Sequence, residues 1–184
     1  MMRFSPLLIL FTALTSPLLT TTGFAQSNGG LMTPWDFKRT IENLTQYSRR
    51  LYPLLDEVKP GEWRDAPQGY ALQQKLVKTQ LESIAILTQN LARDPERLPV
   101  VLDLFFRYEN FELTLASLLE GVRKYQNPAV ADLIAALRNE NSPARQSLKD
   151  YMVDLATTKD QELRIADQEA QRCRGLLLKP SRRK

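Results

Sequence analysis

The sequence predicts an all-α protein: an elongated antiparallel four-helix bundle with a short extra helix between the third and fourth long helices. Three observations indicate this fold class. Apolar residues recur at steps of three and four through most of the chain after position 33, which is the spacing of one helix face. Residues able to cap a helix stand directly before several prolines, as they do at helix starts. No segment shows the alternating pattern of hairpin strands.

Residues 1–25, ahead of the first helix, have the composition of a cleavable secretory signal. Arg3 gives a short charged start, and the apolar stretch over 7–19 is too short and too rich in hydroxyl groups to span a bilayer. Gly23 and Ala25 supply the small residues that signal peptidase needs three and one positions before the cut. We therefore expect cleavage after Ala25 and an exported chain, periplasmic or secreted, without a transmembrane span.

The remaining chain is long enough for one domain with a core of its own. We expect a flexible N-terminal segment at residues 26–33, a single helical-bundle domain at 34–178 and a disordered basic tail at 179–184.

A capping residue followed by proline predicts the start of a helix. Thr33-Pro34 begins the first helix, whose apolar stripe continues beyond Pro53, although this proline is expected to kink or end the helix. Two prolines and a glycine over residues 59–67 predict the one substantial loop. The second helix is expected over about 68–93, with a wide apolar face that implies more than one neighbour.

Three more pairs divide the second half of the chain. Asp94-Pro95 begins the third helix, which extends to about 126 and is the most apolar of all. Asn127-Pro128 begins the short extra helix, which ends near Asn141, and Ser142-Pro143 begins the last helix, which runs to about Leu178.

The net charge of +4 is a property of the C-terminal end. Arg3 belongs to the predicted signal, and six of the other basic residues lie between positions 172 and 184. Without these seven residues the chain would be net acidic by three charges, so the composition does not indicate a basic binding face.

The chain has no histidine, which excludes several chemistries of helical bundles. Haem ligation by histidine, the ferritin-like di-iron site with its Glu-x-x-His pairs, and triads of the Ser-His or Cys-His kind all require this residue. We predict no catalytic residue, no metal site and no cofactor.

Two carboxylates of the third helix, Glu109 and Glu112, lie one turn apart and could bind a cation or share acid and base roles. Solvated or salt-bridged helix charges are far more common, and Arg107, Arg123 and Lys124 lie nearby in the sequence. We therefore expect these two carboxylates to be surface or ion-paired groups.

Cys173 is the single cysteine, so internal disulfides do not stabilise this chain. It falls in phase with Ala166, Ala170 and Leu177, and we expect a small buried side chain. Two flanking arginines favour the alternative of a reactive thiol, or of a link between two chains.

Aromatic residues mark the loop-forming regions. Trp63 lies inside the predicted loop, and Trp35 and Tyr70 lie close to helix starts. Such residues usually fix a loop to the end of a bundle and less often line a pocket or interaction site.

Arg182, Arg183 and Lys184 close the chain after three leucines. We expect a frayed basic tail at a helix C-terminus; the alternative is weak contact with anionic lipid or an acidic partner. The tail lacks aromatic residues for base stacking, so nucleic acid is not an expected partner.

These observations favour a non-enzymatic helical bundle that acts outside the cytoplasm as an interaction or scaffold module. Its protein partner is not identified by the sequence, and a homo-oligomer is one option. The first alternative is a carrier of a small apolar ligand or lipid, which requires a pocket lined by residues such as Phe105, Phe106 and Tyr108. A hydrolase that uses carboxylates alone would depend on Glu109 and Glu112.

Overall fold

The structure is a computed structural model that describes residues 32–177. Four α-helices and one short 3₁₀ turn make up this part of the chain: α1 (Pro34–Asp56), the turn (Pro60–Glu62), α2 (Gly69–Arg93), α3 (Leu98–Tyr125) and α4 (Pro128–Leu177). No strand occurs among the described residues, and the predicted all-α class is confirmed. The predicted signal, its cleavage site and the basic tail lie outside the described residues.

Capping side chains stand at two of the predicted helix starts. Thr33 accepts a hydrogen bond from the backbone N–H of Asp36 at 3.2 Å, and Asn127 accepts one from the backbone N–H of Ala129 at 2.9 Å. Each bond satisfies a donor that has no partner within the first turn. The third helix begins at Leu98 rather than at Pro95, because the carbonyl of Arg97 accepts its first backbone hydrogen bonds.

Pro53, which was expected to kink or end the first helix, does not end it. Helix α1 continues to Asp56, and Leu51 and Leu55 on either side of the proline are fully buried. Pro53 itself is exposed, so its ring lies on the solvent side while its neighbours pack. The packing of the leucines outweighs the one backbone hydrogen bond that proline removes.

The prediction of a short extra helix is wrong, because this segment is not a separate element. Helix α4 is continuous over 50 residues and includes Pro143. Asn141, Ala144 and Leu148 are all buried, so the segments before and after the proline pack into the same core. Pro143 is exposed, and the burial of its neighbours keeps the helix intact despite a proline cost of roughly 3 kcal/mol.

Each of the four helices packs against two others. Helices α1 and α3 both contact α2 and α4. In two of these pairs, residue numbers rise along one helix as they fall along its neighbour. Between α1 and α2, Thr45 contacts Thr88 and Asp56 contacts Lys78; between α3 and α4, Glu109 contacts Arg145 and Arg123 contacts Asp132. Every helix contributes fully buried leucine or isoleucine side chains to the core between them, among them Leu44, Ile84, Leu104 and Leu148.

The predicted loop closes one end of the bundle. Trp63 packs against the rings of Tyr70 and Tyr125, with ring centroids 5.3 and 6.0 Å away. Its indole N–H donates to the side-chain oxygen of Gln126 at 2.9 Å. Gln126 also accepts from the backbone N–H of Lys59 and donates to a backbone carbonyl of the same loop. Aromatic packing and one glutamine thus hold the loop against α3.

Candidate interaction surface

The C-terminal third of α4 lies outside the core. Leu155 is the last buried residue of the helix, and every residue from 160 to 177 is exposed. We call residues 160–177 the arm. At about 1.5 Å per residue, the arm is about 27 Å long. It is a helix with no neighbouring helix among the described residues.

Local interactions favour the helical state of the arm. Arg164 and Asp160, one turn apart, form an ion pair at 2.9 Å, and Lys159 pairs with Glu162 at 3.0 Å. Gln, Glu, Arg, Ala and Leu supply most of its positions, and these residues have high helix propensity. The packed part of α4 already supplies the helical nucleus, so the arm needs only propagation.

An apolar stripe follows one face of the arm at steps of three, four, three and four, which is a heptad spacing. We call this face the arm stripe, and its members are Leu163, Ala166, Ala170, Cys173 and Leu177. Within the bundle, the same face of α4 carries Leu148 and Leu155, which are fully buried. In the arm, Leu163 is 69% exposed and Leu177 is 85% exposed. The core-facing side of α4 therefore continues beyond the core, and no other part of residues 32–177 covers it there.

The charges of the arm are divided along its length. The acidic side chains all lie in the first part, at Asp160, Glu162, Asp167 and Glu169, and outnumber the one basic residue there, Arg164. The second part carries Arg172 and Arg174 and no acidic residue, and the sequence adds four more basic residues from 179 onward. The arm is therefore negative toward the bundle and positive toward its end.

Cys173 lies in the arm stripe and is exposed, so the predicted burial is wrong. The phase with Ala166 and Ala170 is correct, but none of the other described helices lies opposite this part of α4. Helical periodicity shows which residues share a face; it does not show where the partner of that face ends.

Among the other predicted site residues, Trp63 is only 9% exposed and holds the loop described above. Trp35 is 66% exposed and packs only loosely, with the Arg39 guanidinium 6.0 Å from its ring. Arg182, Arg183 and Lys184 lie outside the described residues.

Glu109 and Glu112 are ion-paired, as predicted, although their partners come from α4. Glu109 accepts two hydrogen bonds from Arg145, at 2.7 and 2.6 Å, and this contact lowers the pKa of its carboxyl group. Glu112 is buried and accepts from Arg138 at 2.9 Å. The expected pairings with Arg107, Arg123 and Lys124 do not form.

A buried polar network around Glu112 was not predicted from the sequence. The Tyr47 hydroxyl donates to Glu112 at 3.2 Å, and Asn141 donates to the Tyr108 hydroxyl one helical turn away on α3. Burial is the main reason that the pKa values of Tyr47 and Tyr108 lie well above the usual tyrosine range. One sequence feature could have indicated it: Glu112 and Asn141 are in phase with the apolar stripes of their helices, which favours burial.

A surface groove of about 240 Å³ lies beside this network, between α1 and α4. Its lining is mainly polar and includes Gln46, Arg50 and Glu140. The pair Arg50 and Glu140 bridges the two helices at 2.5 Å. An ion pair therefore spans a groove with a mainly polar lining.

The three aromatic residues of the carrier alternative do not line one pocket. Phe106 is 58% exposed, and Tyr108 is buried within the polar network. Phe105 borders a groove whose other lining side chains are polar or charged, among them Glu109, Arg145 and Lys149.

Residues 32–177 contain no cluster of three or more potential metal-binding side chains. None of the helices in this range has a stretch both long and apolar enough to cross a bilayer.

Comparisons with protein families, with curated proteins and with solved structures found no match to this chain.

Proposed function

We propose that this protein is a non-enzymatic interaction module that acts outside the cytoplasm, and that the arm stripe is its binding surface. The observation that carries the proposal is the uncovered continuation of the core-facing side of α4 over residues 160–177. The proposal combines this surface with the signal predicted for residues 1–25.

The energetics of the arm support a binding role. Fixing the backbone of each residue costs about 1–2 kcal/mol of conformational entropy, and in most protein helices the burial of an apolar face offsets this cost. Residues 160–177 bury no side chain. A partner that covered Leu163 and Leu177 would supply the missing burial, at roughly 1.5–3 kcal/mol for each leucine.

The heptad spacing of the stripe indicates how a partner binds. Apolar residues at steps of three and four form the seam along which two helices pack side by side. The partner surface is therefore expected to be an amphipathic helix with its own apolar stripe.

Substitutions in the arm stripe test this proposal. We expect the double variant Leu163→Glu with Leu177→Glu to keep its helical circular dichroism and its unfolding temperature, since both side chains are exposed. The matched control is Ile165→Glu, because Ile165 is 57% exposed on the opposite face of the arm. A chain truncated after Asp160 should also keep the stability of the bundle, since the removed described residues are all exposed.

Chemical cross-linking in the cell envelope, followed by mass spectrometry, then measures binding. The unaltered chain and Ile165→Glu should form the same cross-linked complex, and the double and truncated variants should not. A second copy of this chain counts as a partner in this assay. The proposal is wrong if all four forms give the same complex, or if none does.

A further inference from the structure

We propose that the arm stripe binds the arm stripe of a second copy of this chain, with the two arms running in opposite directions. This inference rests on the proposed function and names the partner. Its carrying observation is the division of charge along the arm.

Charge complementarity selects the direction. If two arms lay side by side in the same direction, each acidic residue would face the acidic part of the other arm, and Arg172 and Arg174 would face the basic part. The acidic residues are Asp160, Glu162, Asp167 and Glu169. In opposite directions, the acidic part of each arm lies beside the basic part of the other. Like charges in contact are destabilising and opposite charges are stabilising at helix–helix seams.

One antiparallel register aligns stripe residues of the two arms and also places opposite charges beside each other. When Ala170 faces Cys173 of the second copy, Ala166 faces Leu177 and Asp167 flanks Arg174, each twice by symmetry. Small side chains then oppose small ones at the centre and a leucine opposes an alanine on either side. Leu163, the first member of the stripe, lies beyond Leu177 of the second copy. The result is a two-fold, self-complementary contact of the kind found in most homodimers.

After the predicted cleavage at Ala25, the segment that precedes α1 offers little cover for the stripe. Its apolar side chains in the stretch 26–33 are Leu31 and Met32. Met32 already packs against the core. Two residues cannot cover the five positions of the arm stripe.

Sedimentation equilibrium of the purified protein provides the first test. We expect a reversible monomer–dimer equilibrium between about 1 and 500 μM that shifts toward monomer as salt rises, because salt screens the exposed charges. Ile165→Glu should leave the dissociation constant unchanged within about twofold, while Leu163→Glu with Leu177→Glu should raise it at least tenfold. A monomer at every concentration overturns the inference.

Charge reversal then tests complementarity. Glu162→Lys with Asp167→Lys in one variant, and Arg172→Glu with Arg174→Glu in another, should each weaken self-association about tenfold or more. An equimolar mixture of the two variants should restore dimers, because each reversed part then meets its opposite. A mixture that stays as monomeric as the separate variants overturns the inference.

Thiol oxidation tests the direction. With arms in the same direction, Cys173 would face its own copy and oxidation would link the unaltered chains. With arms in opposite directions, Cys173 faces position 170, so Ala170→Cys should form a covalent dimer on a non-reducing gel and the unaltered chain should not. Efficient linking of the unaltered chain through Cys173 overturns the antiparallel arrangement.

The experiments distinguish a failure of the self-association proposal from a failure of the proposed function. A purified monomer that still forms an arm-dependent complex in the envelope removes the second copy as the partner and keeps the interaction module. Loss of both results removes both proposals.

Discussion

At the scale of single residues, Glu112 is the charged group that the core depends on most. Its side chain is 9% exposed, and Arg138 at 2.9 Å is its cationic partner. The Tyr47 hydroxyl donates a further hydrogen bond to it. Each member of such a network satisfies another, so removal of one leaves a buried polar group without its partner.

We therefore expect Glu112→Ala to lower the free energy of unfolding by about 3 kcal/mol, because it leaves Arg138 and Tyr47 unpaired in a largely buried site. The matched control is Glu109→Ala, which removes the neighbouring and more exposed ion pair with Arg145 and should cost no more than about 1 kcal/mol. Urea unfolding followed by circular dichroism measures both. Equal losses for the two variants would contradict the assigned role of Glu112.

Gly121 lies at the end of the bundle that the loop closes, where the rings of Tyr70 and Trp63 approach α3. A Cβ atom at this position would lie 2.5 Å from Cε1 of Tyr70 and 2.9 Å from Cζ3 of Trp63. Both distances are below van der Waals contact, and Trp63 is held in place by Gln126. The glycine therefore permits the close approach of these rings to α3.

Gly121→Ala should destabilise the protein by up to about 2 kcal/mol, because overpacking of roughly 1–3 kcal/mol is only partly offset by the gain in helix propensity of about 1 kcal/mol. Gly69→Ala is the control, since no atom lies within 4 Å of its added Cβ; it should be neutral or slightly stabilising. Thermal unfolding measures stability, and tryptophan fluorescence reports on Trp63. An unchanged unfolding temperature for Gly121→Ala would show that the rings shift without cost.

Residue-level prediction from sequence succeeded where the signal was local. The ion pairing of Glu109 and Glu112 followed from the high frequency of paired helix charges, but their partners on α4 depend on helix packing that spacing does not specify. The exposure of Cys173 was missed for the same reason. Periodicity places a residue on a face, and only the fold decides whether another helix covers it.

At the scale of whole elements, α4 carries two features that a compact bundle does not require, an internal proline and the arm. Helix starts were predictable at Thr33 and Asn127, because capping depends on neighbouring residues alone. The continuation of α1 past Pro53 and of α4 past Pro143 was not predictable, because it depends on which residues are buried on both sides of each proline.

Pro143→Ala should stabilise the protein by about 1–3 kcal/mol. Alanine restores the backbone N–H and removes the ring clash with the preceding turn, while the loss of proline's restriction of the unfolded chain offsets part of the gain. Pro143 is exposed, so no core contact is lost. Urea unfolding checks the direction, and a variant less stable than the original would show that Pro143 fixes a bend that the bundle needs.

At the scale of the whole molecule, stability at high pH depends on two buried tyrosines that several helices enclose. Burial raises the pKa of Tyr47 and of Tyr108 well above the ordinary tyrosine value of about 10. In the unfolded chain both phenols lose their protons near that ordinary value. Above about pH 10 the unfolded state therefore binds fewer protons than the folded state, and stability falls as pH rises.

We expect the full stabilisation below about pH 10 and, above it, a loss of up to about 1.4 kcal/mol per pH unit for each of these tyrosines. Urea unfolding at a series of pH values measures the slope, and ultraviolet absorbance of tyrosinate follows ionisation. Tyr47 and Tyr108 should ionise only as the helical circular dichroism is lost, and Tyr47→Phe should reduce the slope by one tyrosine's share. Ionisation of all six tyrosines with helicity intact would mean that solvent reaches the interior between α1, α3 and α4.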